Sequence, residues 1–251
     1  MKKKRRIKKS IKICFIFIIL IALTIVSYWI INKNGGKDFN FNKFVNENKI
    51  TYPIVNKISL VATGDALLHN PVYISAYDNS TESFNFAPQL ELVKEEIKNY
   101  DIKYYNQETV FGGKLTDRFN CKYNMPGYCS YPYFNSPSEF GDAMVDAGFN
   151  MISLASNHSA DCTYASDTCI TNSYNYWKSK NVVFDGFNED ESKENKYNIG
   201  EKNGIKYGFL NYTNTLNGLD NSVSNIKYKI DLYDEETAKK EIEDLKTKVD
   251  V

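Results

Sequence analysis

A run of 19 uncharged residues near the N-terminus, Ile13–Ile31, constrains this chain more than any other feature. With a rise of about 1.5 Å per residue, a helix of this length would cover most of the roughly 30 Å hydrocarbon core of a bilayer. The preceding segment, Met1–Lys12, carries eight Lys and Arg residues and no acidic residue. Because basic flanks stay on the cytoplasmic side, the pattern predicts a single-pass cell-membrane protein. Residues 1–12 would be a cytoplasmic tail, residues 13–31 a transmembrane signal-anchor, and the rest of the chain would be extracytoplasmic.

A cleaved export signal is the alternative interpretation of the same run. Secretory signals have apolar cores of about 7–15 residues that end at a small-x-small cleavage site. The run here is longer, and its end carries Tyr28 and Trp29, which favour the membrane interface. The sequence therefore favours an uncleaved anchor, and either interpretation places the main domain outside the cell.

The charge distribution excludes one class of partner. The chain has 31 basic and 31 acidic residues, and eight of the basic ones lie in the tail, so the remainder carries 23 against 31, a formal charge of −8. Proteins that bind nucleic acid need clustered Lys and Arg for the phosphates. An acidic outer domain does not fit that requirement, so we expect no nucleic-acid partner.

The cysteines indicate disulfides. Cys14 lies in the apolar run, whereas Cys121, Cys129, Cys162 and Cys169 follow it. An even number of cysteines in an oxidising compartment is typical of disulfide bonds, and four allow three pairings. We favour the local pairing, Cys121–Cys129 with Cys162–Cys169. A zinc site is the alternative, although neither spacing matches the usual short gap between zinc ligands.

Beyond an Asn- and Lys-rich tether at residues 32–57, strand and helix patterns alternate through one domain, residues 58–251. Alternation of this kind predicts an α/β fold built on a largely parallel sheet. The second of its helices should have Ser136 as N-cap, Pro137 at its first position and Gly148 as its stop. The predicted strands are Ile58–Thr63, Asp101–Tyr105, Phe149–Leu154 and Val182–Phe184; the predicted helices are Pro88–Asn99, Pro137–Ala147, Asp167–Lys180 and Glu235–Lys248; and a hairpin joins Tyr197–Gly200 to Ile205–Asn211 through Asn203-Gly204.

Polar side chains follow three of these strands, and sites in parallel sheets form beyond the carboxyl ends of the strands. The chain's two histidines both fall in these clusters. Carboxylates, amides and imidazoles together suit Mn, Fe, Zn or Mg. Each cluster alone could equally be a turn or a satisfied loop, so the metal-site hypothesis depends on the three occurring together. The clusters are Asp65 with His69, Asn106 with Glu108, and Asn157 and His158 with Asp161.

Three segments carry a resemblance to a known family: TGDALLH, YYNQETV and YFNSPSEFGDAMVDAGFNMISLASNHSAD. In this order they resemble the CapA family of bacterial capsule synthesis proteins, which is linked to poly-γ-glutamate. The resemblance extends from about Ile58 to Val251. It implies a metallophosphoesterase-like (calcineurin-like) layered α/β sandwich outside a membrane anchor.

The resemblance also assigns roles to residues. Asp65, Glu108 and Asn157 match metal ligands, and His158 matches the histidine that protonates a leaving group. Asp161 would orient His158 as a second carboxylate. The residues expected to line the pocket or support its ligands are His69 and Asn106.

The sequence departs from the family pattern in two places. Ser156 stands where the family commonly has Asn. No histidine follows His158, whereas the family continues with a His-Trp-Gly strand and a Gly-His-x-His block. We therefore expect the chain to be an N-terminal fragment whose C-terminal strands and histidine motifs are missing, with an incomplete metal site.

The resemblance implies work on a capsule polymer at the cell surface: synthesis, export or anchoring, with the membrane, the polymer and polymer-synthase subunits as partners. If the full-length protein is an enzyme, it would be a metal-dependent hydrolase of a phosphoester or an amide. One alternative is a non-catalytic scaffold with a vestigial metal site. Another is a surface-binding module that uses the Tyr-rich segment Tyr123–Phe134.

Overall fold

The computed structural model describes residues 20–26, 28, 29, 33, 55–114, 127–164, 168–192 and 197–251. The chain divides into two units, Met1–Val55 and Asn56–Val251. In the first unit, the described residues 20–26, 28, 29 and 33 are helical. No helix among the described residues has both the length and the apolarity to cross a bilayer. The basic tail, Cys14 and much of the predicted anchor lie outside the described residues.

The second unit is built on a four-stranded parallel sheet. Its strands lie in the order β1 (Leu60–Asp65), β4 (Ile102–Asn106), β5 (Met151–Ser153) and β6 (Val183–Asp185), which confirms the prediction of an α/β fold with a mostly parallel central sheet. Two hairpins, β2 (Tyr77–Asp78) with β3 (Ser83–Phe84) and β7 (Ile199–Lys202) with β8 (Ile205–Gly208), are not hydrogen-bonded to this sheet. The elements are β1 (Leu60–Asp65), α1 (Asn70–Ala76), β2 (Tyr77–Asp78), β3 (Ser83–Phe84), α2 (Ala87–Ile97), β4 (Ile102–Asn106), α3 (Glu139–Ala147), β5 (Met151–Ser153), α4 (Cys169–Lys178), β6 (Val183–Asp185), β7 (Ile199–Lys202), β8 (Ile205–Gly208) and α5 (Glu235–Leu245), with 3₁₀ turns at Asp161–Tyr164, Asp220–Val223 and Lys227–Lys229.

Apolar side chains cover both faces of this sheet. On one face, α2, α3 and α4 contribute to a large aromatic core in which the Tyr105 ring meets Phe149 and Trp177 edge-on. On the other face, residues of the β7–β8 hairpin pack on Ile102, and Tyr104 meets Phe209 at a centroid distance of 5.7 Å. Burial on both faces explains why the strands read as short continuous apolar runs.

The β7–β8 hairpin turns where the sequence predicts. Asn203 and Gly204 both have positive φ, 53° and 72°. Two consecutive residues with positive φ make the turn that matches the twist of paired strands, and Asn-Gly adopts it at low cost.

The start of α3 differs from the prediction. Its N-cap is Ser138, and the helix begins at Glu139. Ser136 is not the cap, because its hydroxyl is buried and donates to Thr109 Oγ1 at 2.9 Å. The predicted stop is confirmed: Gly148 is the C-cap, with φ of 106°.

Cys162 and Cys169 are joined by a disulfide with Cα atoms 5.9 Å apart, which is the local pairing that the sequence favours. Their sulfurs are therefore not thiolate ligands for zinc. Cys129 is also disulfide-bonded. Its predicted partner, Cys121, lies outside the described residues.

Candidate functional site

The first two strands of the sheet bring Asp65 and Asn106 together. These residues face each other in the parallel β1–β4 register. The Asn106 amide donates to Asp65 Oδ1 at 2.9 Å, and its oxygen accepts from the Ser153 hydroxyl at 2.7 Å. Ser153 thereby fixes the amide so that its NH₂ group, rather than its oxygen, faces the carboxylate.

A second group joins the loops after β4 and β5. The His158 Nδ1 atom lies 2.7 Å from Asp161 Oδ2, and its Nε2 atom lies 3.9 Å from Glu108 Oε1. Asp161 is only 1% exposed, and the same oxygen accepts the backbone N–H of Phe134 at 2.7 Å. A carboxylate acceptor at Nδ1 keeps the proton on that nitrogen. The Nε2 atom is then the one that faces Glu108.

These contacts shift the pKa values of all three groups. Burial lowers the pKa of His158, but the hydrogen bond and charge of Asp161 and the charge of Glu108 outweigh it, so the pKa of His158 is raised. Burial raises the pKa of Glu108, and the charge of Asp65 adds to the increase. Burial also raises the pKa of Asp161, against the opposing effect of His158. The carboxylates of Asp65 and Glu108 are therefore close enough to repel each other.

An aromatic ring that the sequence analysis did not single out separates the two histidines. The Phe134 ring meets His158 edge-on at a centroid distance of 4.9 Å and meets His69 at 5.1 Å. His69 thus forms part of the same wall through Phe134. Phe134 immediately precedes the Asn-Ser-Pro segment, but nothing in that spacing indicates that its ring would turn towards the histidines.

Ser156 links the two loops that carry Glu108 and His158. Its hydroxyl donates to the Glu108 carbonyl oxygen at 3.0 Å and accepts from the His158 backbone N–H at 3.1 Å. Ser156, which stands where the family commonly has Asn, therefore connects the two loops through its hydroxyl.

Asn157 makes a different contact. Its amide donates to Asn217 Oδ1 at 3.4 Å, from the loop that follows β8. Asn217 has a positive φ of 54°, a conformation that Asn tolerates better than most residues. The structure thus adds Asn217 to the neighbourhood of the site, whereas sequence patterns gave no signal for it.

The family model of the bacterial capsule synthesis protein PGA_cap matches residues 59–251. The chain belongs to this family. The match contains every element from β1 to α5 and all of the candidate site, and it confirms the resemblance that the strand-end motifs carry. No curated protein matches the chain.

In this PGA_cap protein, the strand-end residues form two adjoining groups rather than one closed cage. Within residues 55–114, 127–164, 168–192 and 197–251, no three His, Cys, Asp or Glu side chains are gathered as a metal-binding group. Asp65 with Asn106 makes one group, and Glu108 with His158 and Asp161 makes the other.

A cavity of about 220 Å³ adjoins the first group. Asp65 and Gly64 border it, and its walls are mainly apolar side chains of α2, α3 and the sheet, including Leu90, Tyr105, Met144 and Phe149.

Proposed function

We propose that this capsule synthesis protein is a membrane-anchored, extracytoplasmic, metal-dependent hydrolase that acts on a capsule polymer or its precursor, with poly-γ-glutamate as the leading candidate. The supporting observation is the arrangement of His158 between Asp161 and Glu108, at the same sheet edge as Asp65 and Asn106. The proposal includes a metallophosphoesterase-like layered α/β sandwich as the fold of the domain.

His158 would act as the general acid. Asp161 holds the proton on Nδ1 and stabilises the charged imidazole, and Nε2 is the nitrogen that gives a proton to the departing oxygen or nitrogen. Glu108 lies near the same nitrogen and supports the charged form. The bond broken would be a phosphoester or an amide.

The types of residue, rather than their present spacing, favour a divalent ion such as Mn, Fe, Zn or Mg. Asp65, Glu108 and Asn157 would hold it, since carboxylate and amide oxygens are hard ligands. The negative charges of Asp65 and Glu108 repel each other, and a bound cation would relieve that repulsion. A bound ion would supply Lewis acidity and an activated water.

The N-terminal segment supports the location. Eight basic residues before 19 uncharged ones favour a cytoplasmic tail and a single membrane-spanning anchor. The membrane and a polymer-synthase complex within it are then the proposed partners.

The test uses the purified full-length chain. Mn²⁺ binding is measured by calorimetry, and hydrolysis is measured on an aryl phosphodiester and on poly-γ-glutamate. The double variant Asp65→Ala with Asn157→Ala should lower Mn²⁺ affinity by at least about tenfold and abolish turnover. The matched control, Asp146→Ala with Asn221→Ala, replaces the same residue types at exposed positions and should behave as the wild type. Turnover that survives in the first variant would refute the assignment.

A non-catalytic scaffold or binding module is the second candidate, and one observation favours it. Tyr131 is 70% exposed and Tyr133 40% exposed in the loop that carries Phe134. Tyr rings present large contact areas at low entropic cost. A wild-type chain that binds polymer but no Mn²⁺, Fe²⁺ or Zn²⁺, and loses polymer binding in Tyr131→Ala, would support the scaffold.

A further inference from the structure

The turn after β5, which carries His158, is held from outside by a side chain from another part of the chain. Asn211 follows β8, and its Oδ1 atom accepts the backbone N–H groups of Leu154 at 2.9 Å and Ala155 at 2.6 Å. Its Nδ2 atom donates to the Ala155 carbonyl oxygen at 3.2 Å. Leu154 also donates to the Asp185 carbonyl. Ala155 therefore depends more heavily on Asn211.

Asn211 is itself fixed from the end of β6. Its backbone N–H donates to Asp185 Oδ2 at 2.6 Å, and Asp185 is 4% exposed. Next along the chain, Gly186 has φ of 107°, and a Cβ there would collide with Asn211 Oδ1 and the Ala155 backbone nitrogen. Three chain segments thus cross where there is no room for a side chain at position 186.

A further set of hydrogen bonds connects the residue after Ala155 to the candidate site. The next residue, Ser156, binds the Glu108 carbonyl and the His158 N–H. A turn held at Ala155 therefore holds Ser156 in register between the two loops that carry Glu108 and His158.

We infer that Asn211 is a positioning residue for His158: its amide sets the place of the imidazole against Phe134 and Glu108 without touching either. Asp185 and Gly186 make that placement possible. The inference deepens the proposed function, on which it rests for its meaning in catalysis, but the contacts that carry it do not depend on a bound metal.

The chain's two histidines allow a direct test. Both lie against the Phe134 ring, so the Cε1–H signals of ¹³C-labelled histidine report the position of each imidazole. The full-length, metal-free chain is measured in detergent at one fixed pH, and His158→Gln assigns the signals by removing one. Asn211→Ala removes the acceptor, and Asn211→Asp keeps an oxygen acceptor for Ala155.

In Asn211→Ala we expect the His158 signal to shift or broaden while the His69 signal stays at its wild-type position. In Asn211→Asp we expect both signals at wild-type positions. An unmoved His158 signal in folded Asn211→Ala, or equal movement of both signals, overturns the inference, because the first means no positioning and the second means general loosening.

If Asn211→Ala does not fold, Asn211→Asp decides: wild-type signals support the inference and a displaced His158 signal overturns it. Mn²⁺ affinity of the same variants is measured in parallel and should fall on the order of tenfold in Asn211→Ala. If the wild-type chain does not bind Mn²⁺, the proposed function is wrong, but the NMR test of the His158 position remains valid.

Discussion

At the residue scale, the chemistry of the site depends on how one imidazole is held. Asp161 binds both Nδ1 of His158 and the backbone of Phe134 through a single buried oxygen. The orientation of the ring and the placement of the aromatic wall beside it are thus set by the same atom. A substitution of Asp161 should therefore change the orientation and the pKa of the His158 imidazole directly.

Replacing Asp161 by Asn should lower the pKa of His158. The variant keeps an oxygen that can accept from Phe134, but it removes the charge and the ionic hydrogen bond that raise this pKa. An NMR titration of the metal-free full-length chain measures it. Asp146→Asn, an exposed carboxylate on α3, is the control and should leave the His158 titration unchanged. Equal His158 titrations in Asp161→Asn and wild type would contradict the assignment.

Asp185 should make stability depend on pH. Burial first, and then the charge of Asp231, raise its pKa well above the ordinary value. Because the fold favours the protonated carboxyl, its stabilising contribution is complete below the unfolded pKa of about 3.9 and is lost as pH rises through the folded pKa.

The variant Asp185→Asn should therefore lose less stability than the wild type between pH 4 and neutral pH. Its amide oxygen still accepts from Asn211, and no carboxylate must be buried. Denaturant unfolding over a pH series measures the difference, with Asp146→Asn as the exposed control. Parallel pH profiles for Asp185→Asn and the wild type would show that Asp185 does not carry this dependence.

The sequence predicted the residues that follow a strand directly, but not those that reach the site from elsewhere. Asp65 and Asn106 could be placed together because both end parallel strands, and the carboxyl ends of such strands meet at one edge. Phe134 and Asn211 could not. The role of Asn211 depends on a crossing at Gly186 that only the tertiary structure reveals.

At the element scale, helix ends were the least predictable part of the fold. The prediction put the start of α3 at Pro137 because Ser-Pro is a common opening, but Ser136 is engaged by Thr109 and the first helical residue is Glu139. The stop at Gly148 was predictable, since a positive φ there is a local requirement that glycine meets without strain. At the N-terminus of α3, the hydrogen bond between Ser136 and Thr109 overrode the local capping signal, whereas the glycine signal at the C-terminus was followed.

Gly148→Ala should destabilise the fold by about 1 kcal/mol, because alanine is strained at positive φ. A Cβ there would meet only the Lys103 side chain at ordinary contact distance, so strain is the main cost. Gly64→Ala is the matched control: nothing lies within 4 Å of its added Cβ, and its φ is not positive, so stability should change little. Chemical denaturation of the three proteins measures both, and equal stabilities would contradict the strain argument.

At the scale of the whole molecule, the charge of a formally neutral chain is divided between basic residues 1–12 and an acidic remainder. The family match from residue 59 begins shortly after the predicted tether. The proposed membrane topology therefore depends on the order of three segments, namely a basic tail, an uncharged run and the family domain.

In cells, the full chain should stay with membranes after alkaline extraction, and protease added outside should remove the domain of residues 58–251. The basic residues should hold the tail inside, because positive flanks fix orientation. Replacing the eight basic residues of the tail by Gln should reduce the fraction of chains in this orientation. Recovery of the domain in the soluble fraction without residues 1–31 would instead indicate a cleaved signal.

The Cys162–Cys169 disulfide links the 3₁₀ turn Asp161–Tyr164 to the first residue of α4. Gly112 lies so close to both sulfurs that a Cβ there would be within 2.8 Å of each. Such bonds form and persist in oxidising compartments and are rare in the reducing cytosol. In the cytosol the chain would carry two thiols at these positions, and the segment that follows His158 would lack this cross-link. If the domain is exported as proposed, this bond would close only after export, and the segment beside His158 would reach its final covalent form outside the cytosol.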